Sequence, residues 1–216
     1  MFAYIRNFFT GNFEPRGKFR KPRVWSNDEL KKIGHVFSGS IINVSGKVDS
    51  DKDGGLYKAY FPHAKEYFIS NYNPGHSDRS TKKWDFDINL DEDIPSEFRE
   101  RFDVVFNHTT LEHIFDMPKA FKNLCMLSKD IVIVVVPFMQ QMHWGASYKD
   151  YWRFTPYALK EMFEREKMKL VYISGNNGRR ESIYVFAVGS KNPKAWEGKM
   201  PKQDPNVYTD LGDRII

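Results

Sequence analysis

Six consecutive residues, Ile131-Val-Ile-Val-Val-Val136, are apolar at every position. A strand with one face in water alternates apolar and polar side chains. A strand without that alternation is covered on both faces, as the inner strands of a parallel sheet are. The run ends at Phe138. A bilayer needs about 20 apolar residues, so no membrane span is expected.

The rest of the chain is read around this strand. Ser40–Val44, Glu66–Asn71 and Phe102–Phe106 are further short apolar runs that predict strands, and Trp84–Leu90 alternates as a short strand end would. Helices are predicted over Met117–Leu127, with apolar residues at helical spacing, and from Thr155-Pro156 to about Lys167, with proline in its first turn. Leu56–Ala64 suits a short helix. Lys169–Ser174 and Ser182–Gly189 are two closing strands, separated by the turn residues Gly175–Gly178. Strands alternating with helices, then two strands on a short connection, predict an α/β fold: a mostly parallel sheet with one antiparallel strand near the C-terminus.

The 216 residues carry 33 Lys+Arg and 28 Asp+Glu. Eight of the basic and three of the acidic residues fall in residues 1–34, so the remainder is neutral at 25 each. A uniformly basic nucleic-acid-binding body is disfavoured, and an anionic small-molecule partner is favoured. Residues 1–24 read as an extended basic arm. A helix is predicted from Ser26, with Ser26 and Glu29 as a capping box and Gly34 as its stop. The chain thus divides into an arm and helix (1–34), a central domain (35–191) and a tail (192–216). The single cysteine, Cys125, excludes an internal disulfide and a cysteine-rich zinc site. The N-terminus lacks the basic-then-apolar layout of a signal peptide, so a cytoplasmic location is expected.

Ligands of such sheets bind beyond the carboxyl ends of the strands. Those ends carry Ser45-Gly46-Lys47, Asn71, Asp87-Ile88 and Asn107–His113. Asn71 can accept from a ribose hydroxyl. Asp87 can accept from an exocyclic amine, with Ile88 against the base. His108 and His113 titrate near neutrality and suit a general base or a loop-shaping hydrogen bonder. His108, Glu112 and His113 do not have the i, i+4 histidine pair of a helical zinc site, so no metal is expected. A second histidine-bearing loop follows Phe138, with His143, Trp144, Tyr148 and Asp150. His143 and Tyr148 are expected to face substrate, Tyr151, Trp152 and Phe154 to pack, and Arg153 to stack or to pair with Asp150.

The run FDVVFNHTTLEHIFDMPKAFKNL, the strand IVIVVVPF, and His143 followed by DYWRFTP resemble class I S-adenosylmethionine-dependent methyltransferases. They look most like the small enzymes found with sugar and surface-polysaccharide biosynthesis. The resemblance spans about residues 36–190. It implies a Rossmann-like, seven-stranded sheet with helices on both faces and S-adenosylmethionine as cofactor. By the same likeness, Asn43, Ser45 and Gly46 meet the methionine part, Asn71 the ribose, Asp87 and Ile88 the adenine, and Asn107 and His108 lie near the sulfonium. His108 or His143 would be the base, and Tyr148 would orient an acceptor. The family's first motif has an acid and several glycines where this chain has Ile41-Ile-Asn-Val-Ser-Gly-Lys47, and its ribose acid is Asn71 here. Two charge-assisted bonds of about 1.5–3 kcal/mol each are lost, which weakens the cofactor about a hundredfold or more. The aspartates Asp49, Asp51 and Asp53 are candidates to replace them. An inactive fold that serves as a binding or structural protein is the alternative reading.

Overall fold

The structure, a computed structural model, describes residues 15–72, 83–145, 148–176, 183–203 and 207, with backbone only for 15–21. Seven strands form one sheet: β1 (Gly39–Val44), β2 (Ala64–Asn71), β3 (Phe86–Asp87), β4 (Phe102–His108), β5 (Ser128–Met139), β6 (Lys169–Gly175) and β7 (Ile183–Ser190). Their spatial order is β3-β2-β1-β4-β5-β7-β6. The first five run parallel to one another, whereas β7 runs antiparallel to both β5 and β6. The apolar run is therefore an inner strand, and Ile131 to Val136 are all fully buried.

Three α-helices are described: α1 (Pro15–Ile33), α2 (Met117–Leu127) and α3 (Pro156–Arg165). Asp116 and Thr155 cap α2 and α3 by accepting from the Lys119 and Ala158 backbone N–H groups, and each helix has proline in its first turn. One core contains Phe121 and Leu124 of α2 and Leu159 and Phe163 of α3 together with Val105, Val132 and Val134. The other contains Leu30 and Ile33 of α1 with Tyr57, Phe61, Phe106, Ile131 and Ile133. The residues of each strand alternate between the two, so both faces of the sheet are covered.

Several expectations change. Of the extended arm expected over residues 1–24, residues 1–14 lie outside the described residues, and 15–24 are not extended: one helix runs from Pro15 through Pro22 to Ile33. Ser26 and Glu29 are not a capping box but inner positions of that helix, turned onto the sheet. Ser26 bonds His108, and the Glu29 carboxylate accepts from Tyr172 and Ser174. Gly34 does end α1, where a Cβ would lie 1.9 Å from the Tyr60 carbonyl oxygen. Leu56–Ala64 keeps only a 3-10 turn at Tyr57–Tyr60, and the third strand shrinks to Phe86–Asp87. The turn expected at 175–178 lies partly outside the described residues. Of the tail, Trp196 packs on Phe37 at 5.3 Å and donates to Asp130. Cys125 is buried, and burial pushes its thiol up, which leaves it inert. No helix among the described residues is long and apolar enough to cross a membrane.

Candidate functional site

The strand order reverses direction between β1 and β4, and a crevice opens there at their carboxyl ends. It holds a cavity of about 220 Å³ lined by residues from α1 (Arg23), β1 and its loop (Asn43, Ser45–Val48, Ser50, Lys52), Tyr57, and the end of β4 (His108–Thr110).

The β1 loop is shaped by its own carboxylates. The buried Asp49 accepts from Asn43 Nδ2 (2.7 Å), Tyr67 OH (2.7 Å) and the Lys58 N–H (2.9 Å). The buried Asp51 accepts from the N–H groups of Asp53 and Gly55 and from Tyr60 OH, each at 2.8 Å. Burial opposes the ionisation of Asp51, but these donors outweigh it and hold its carboxyl below the usual range. Asp49 and Asp51 are therefore occupied within the loop and cannot replace the missing motif acids. The loop also contains Ser45, Lys47, Asp49 and Lys52 in the left-handed region, at φ of 62°, 51°, 57° and 59°. Such strain, about 1 kcal/mol or more per residue, persists only where surrounding bonds over-determine it, and it collects at functional sites.

The cations of the cavity have no such partners. Arg23 donates to Tyr57 OH (2.9 Å) and Thr109 Oγ1 (2.8 Å), both neutral. Among the described residues no carboxylate forms an ion pair with Arg23 or Lys52. The Arg23 charge, and then burial, lower the proton affinity of Lys52. Two unpaired cations beside each other describe a place for an anion.

His108 is half-buried between them. Its Nε2 lies 2.8 Å from Ser26 Oγ and its Nδ1 3.1 Å from Thr109 Oγ1. Ser26 already donates to the Arg23 carbonyl, so it accepts from Nε2–H. Thr109 accepts from Arg23, so its hydroxyl donates to Nδ1. Burial, with Arg23 and Lys52, holds the ring well below its ordinary proton affinity. A neutral imidazole with both nitrogens engaged has no free lone pair for a substrate proton; it latches α1 to β4.

Of the other sites expected from the sequence, Asn43, Ser45 and Gly46 do line the cavity. Asn71, Asp87, Ile88 and Asn107 do not, and neither do His143 and Tyr148. Asn71 sits half-buried at the end of β2, paired in register with Asp87, whose carboxylate accepts from Trp84 Nε1. Ile88 is only 2 % exposed and belongs to the core. Asn107 donates to the Val44 carbonyl, tying β4 to β1 (2.9 Å), and its Oδ1 is buried without a partner. Arg23, Lys52 and Tyr57 were not singled out by sequence reasoning. Arg23 was legible only as one charge among eight in the N-terminal segment, because its partner Thr109 is 86 residues away.

A second cluster stands after β4 and β5. The His143 ring lies 4.9 Å from the His113 ring, and Tyr148 lies 4.6 Å from His113 and 6.2 Å from His143. Asp150 anchors it: its carboxylate takes Arg153 in a two-pronged pair (2.6 and 2.7 Å) and the His143 N–H (2.8 Å). Burial opposes ionisation of Asp150, but these bonds hold its carboxyl below the usual range. The expected pairing of Arg153 is thus realised. Phe154 is buried and Trp152 donates to the Ile114 carbonyl, as packing residues should, whereas Tyr151 stays 46 % exposed against Phe115. Glu112 is fully buried beneath the cluster. Burial pushes its carboxyl up to about 8 against the pull of its own backbone N–H, with the Asp150 charge acting in the same sense as burial and Arg23 and Arg153 against it.

No family model matches the sequence, and no curated protein matches it. Solved structures do match the fold. A Burkholderia thailandensis 1,6-didemethyltoxoflavin-N1-methyltransferase with bound S-adenosylhomocysteine is 14 % identical, covers 88 % of each chain and superposes with a TM-score of 0.55. The magnesium protoporphyrin IX methyltransferase of Synechocystis PCC 6803, also with bound S-adenosylhomocysteine, is 8 % identical over 83 % of this chain and 88 % of its own, with a TM-score of 0.53. The chain therefore has the Rossmann-like methyltransferase fold.

Proposed function

We propose that the chain is an S-adenosylmethionine-dependent methyltransferase acting on an oxygen or nitrogen of a small polar acceptor: a sugar, a glycan precursor or a phosphorylated metabolite. One observation carries the reading: a cationic cavity lies at the β1/β4 switch point of a methyltransferase fold. Both neighbours described above were crystallised with S-adenosylhomocysteine.

The residues present fit the methionyl end of the cofactor. Arg23 and Lys52 suit its carboxylate, and Gly46 keeps the β1 turn flat, since a Cβ there would lie 2.6 Å from the Asn43 side chain. When bound, the cofactor supplies a methyl group on a positively charged sulfur, already activated toward a lone pair. The protein's task is then alignment, worth up to several orders of magnitude in rate, and disposal of one acceptor proton. His108 is held neutral and bonded on both sides, so it positions Thr109 and Arg23. His143 is the better base: it is half-buried on a loop after β5, near Asp150, with Tyr148 beside it to orient an acceptor hydroxyl. The proton passes from the acceptor to a His143 nitrogen and from there to solvent.

A second reading has its own support. Asp49 and Asp51 are consumed within the loop, and Asn71 brings no charge to the ribose position. A fold that binds an anion at Arg23 and Lys52 without methyl transfer fits those facts. Calorimetric titration with S-adenosylmethionine and S-adenosylhomocysteine separates the two. Binding supports the transferase. No heat at millimolar cofactor, with retained binding of simple anions, supports the second reading.

A further inference from the structure

We infer that Glu112, His113 and His143 form a binding site for one divalent transition-metal ion of the zinc class. Each offers one ligand atom, and these atoms all lie within 4.8 Å of one another. A zinc ion bound at about 2.0–2.2 Å would draw tetrahedral ligands to roughly 3.3–3.6 Å apart. The contraction needed is on the order of 1 Å.

The independent observation is Glu112 itself. It is 0 % exposed, and neither carboxylate oxygen has a hydrogen-bond partner. A carboxyl group left in that condition is costly, and proteins pair such groups or coordinate metal with them. The nearest candidate is His113 Nε2, 3.7 Å from Oε1, too far for a hydrogen bond. His113 cannot turn a proton toward it without losing another bond, because its Nδ1 donates to the Lys149 carbonyl (2.7 Å). Nε2 therefore directs a lone pair at a carboxylate oxygen. The 3.7 Å gap has room for a cation, which on entering displaces the proton that burial favours on Glu112. The Nδ1–carbonyl bond is also the support that metal-ligating histidines usually have.

His143 completes the set. Its Nδ1 is buried without a hydrogen bond, although Asp150 Oδ2 is 3.2 Å away. Asp150 is fixed by Arg153, so it can steady the ring as a carboxylate behind a ligating histidine. Two imidazoles and one carboxylate favour zinc, cobalt, nickel or iron over magnesium or calcium, which prefer all-oxygen shells. Three protein ligands leave coordination open to water or a substrate oxygen, as in catalytic sites rather than structural ones. The triad is near the edge where the acceptor is placed above, so a role in holding an acceptor oxygen rests on the transferase reading, and with the ion bound His143 serves as a ligand in place of a base. Binding of the ion does not. The pattern was hidden in the sequence because His143 is separated from Glu112 and His113 by α2 and β5.

The test is titration of chelator-treated full-length protein with Zn²⁺ by calorimetry and with Co²⁺ by visible absorption, with no cofactor present. One equivalent should bind, with the intense bands of low-coordinate Co²⁺. His143→Ala and Glu112→Gln should each weaken Zn²⁺ binding by about a hundredfold, at the upper end of what even second-shell changes cost. Circular dichroism checks folding; should Glu112→Gln misfold, His143→Ala, a change at a half-buried loop residue, decides. Absence of a stoichiometric site, or one whose affinity the variants leave unchanged, overturns the assignment. Because metal alone is the probe, loss of cofactor binding would not mimic either result.

Discussion

The loop after β1 and the cluster after β4 and β5 solve opposite electrostatic problems. In the first, the acids are satisfied and the cations are open: Asp49 and Asp51 accept three bonds each, while among the described residues no carboxylate forms an ion pair with Arg23 or Lys52. In the second, the cation is satisfied and an acid is open: Arg153 is held by Asp150, while Glu112 is buried without a partner. Groups that fold the chain find partners within it. Groups left over indicate the sign of what is missing, an anion at the first site and a cation at the second.

The contrast can be broken from either side. The largest effect should come from Asp49→Ala, which strands Asn43 Nδ2, the Lys58 N–H and Tyr67 OH. At about 1–3 kcal/mol per buried unsatisfied group, partly relieved by water, a loss of about 4 kcal/mol is expected in urea unfolding. Near-neutral behaviour would mean that the loop's carboxylates do not fold it. Asp150→Ala should cost about 3 kcal/mol, the scale for breaking a buried pair and leaving its cation behind. An unchanged midpoint would show that Arg153 is not held as described. Tyr67→Phe removes a single bond to Asp49 and should cost about 1 kcal/mol by the same measurement.

The smallest effect is one of pH. Burial, then Arg23 and Lys52, depress the proton affinity of His108 well below its ordinary 6.5. The unfolded chain therefore binds an extra proton below that pH. Stability from this group is complete above 6.5 and is lost as the pH falls toward the depressed folded value. His108→Gln should flatten the pH dependence of the unfolding free energy in that window. An identical slope in both proteins would contradict a neutral, latched imidazole.

The sheet was legible because its signals are local. The unbroken apolar run of β5, the alternating faces of β4 and the proline-capped starts of α2 and α3 each require only a few adjacent residues. Arg153 and Asp150 were legible for the same reason, three residues apart. The cavity was not. Arg23 reaches it from a helix whose N-terminal half reads as a loose arm, since Pro22 and the density of charge conceal a helix that tertiary packing supports. The aspartates of the β1 loop looked free because their donors, Tyr60 and Tyr67, come from the next turn and the next strand. His108 looked like a base because the Ser26 that occupies it is 82 residues away.

The open cations of the first site carry the functional reading, and calorimetric titration of S-adenosylhomocysteine into wild-type protein and Arg23→Met tests them most directly. Wild type should bind with a dissociation constant below millimolar. The variant should bind about ten- to a hundredfold more weakly, the scale of one lost charge-assisted bond, with its unfolding still cooperative. No heat from wild type at millimolar ligand, or equal affinity in the two proteins, would contradict a cofactor site built on Arg23.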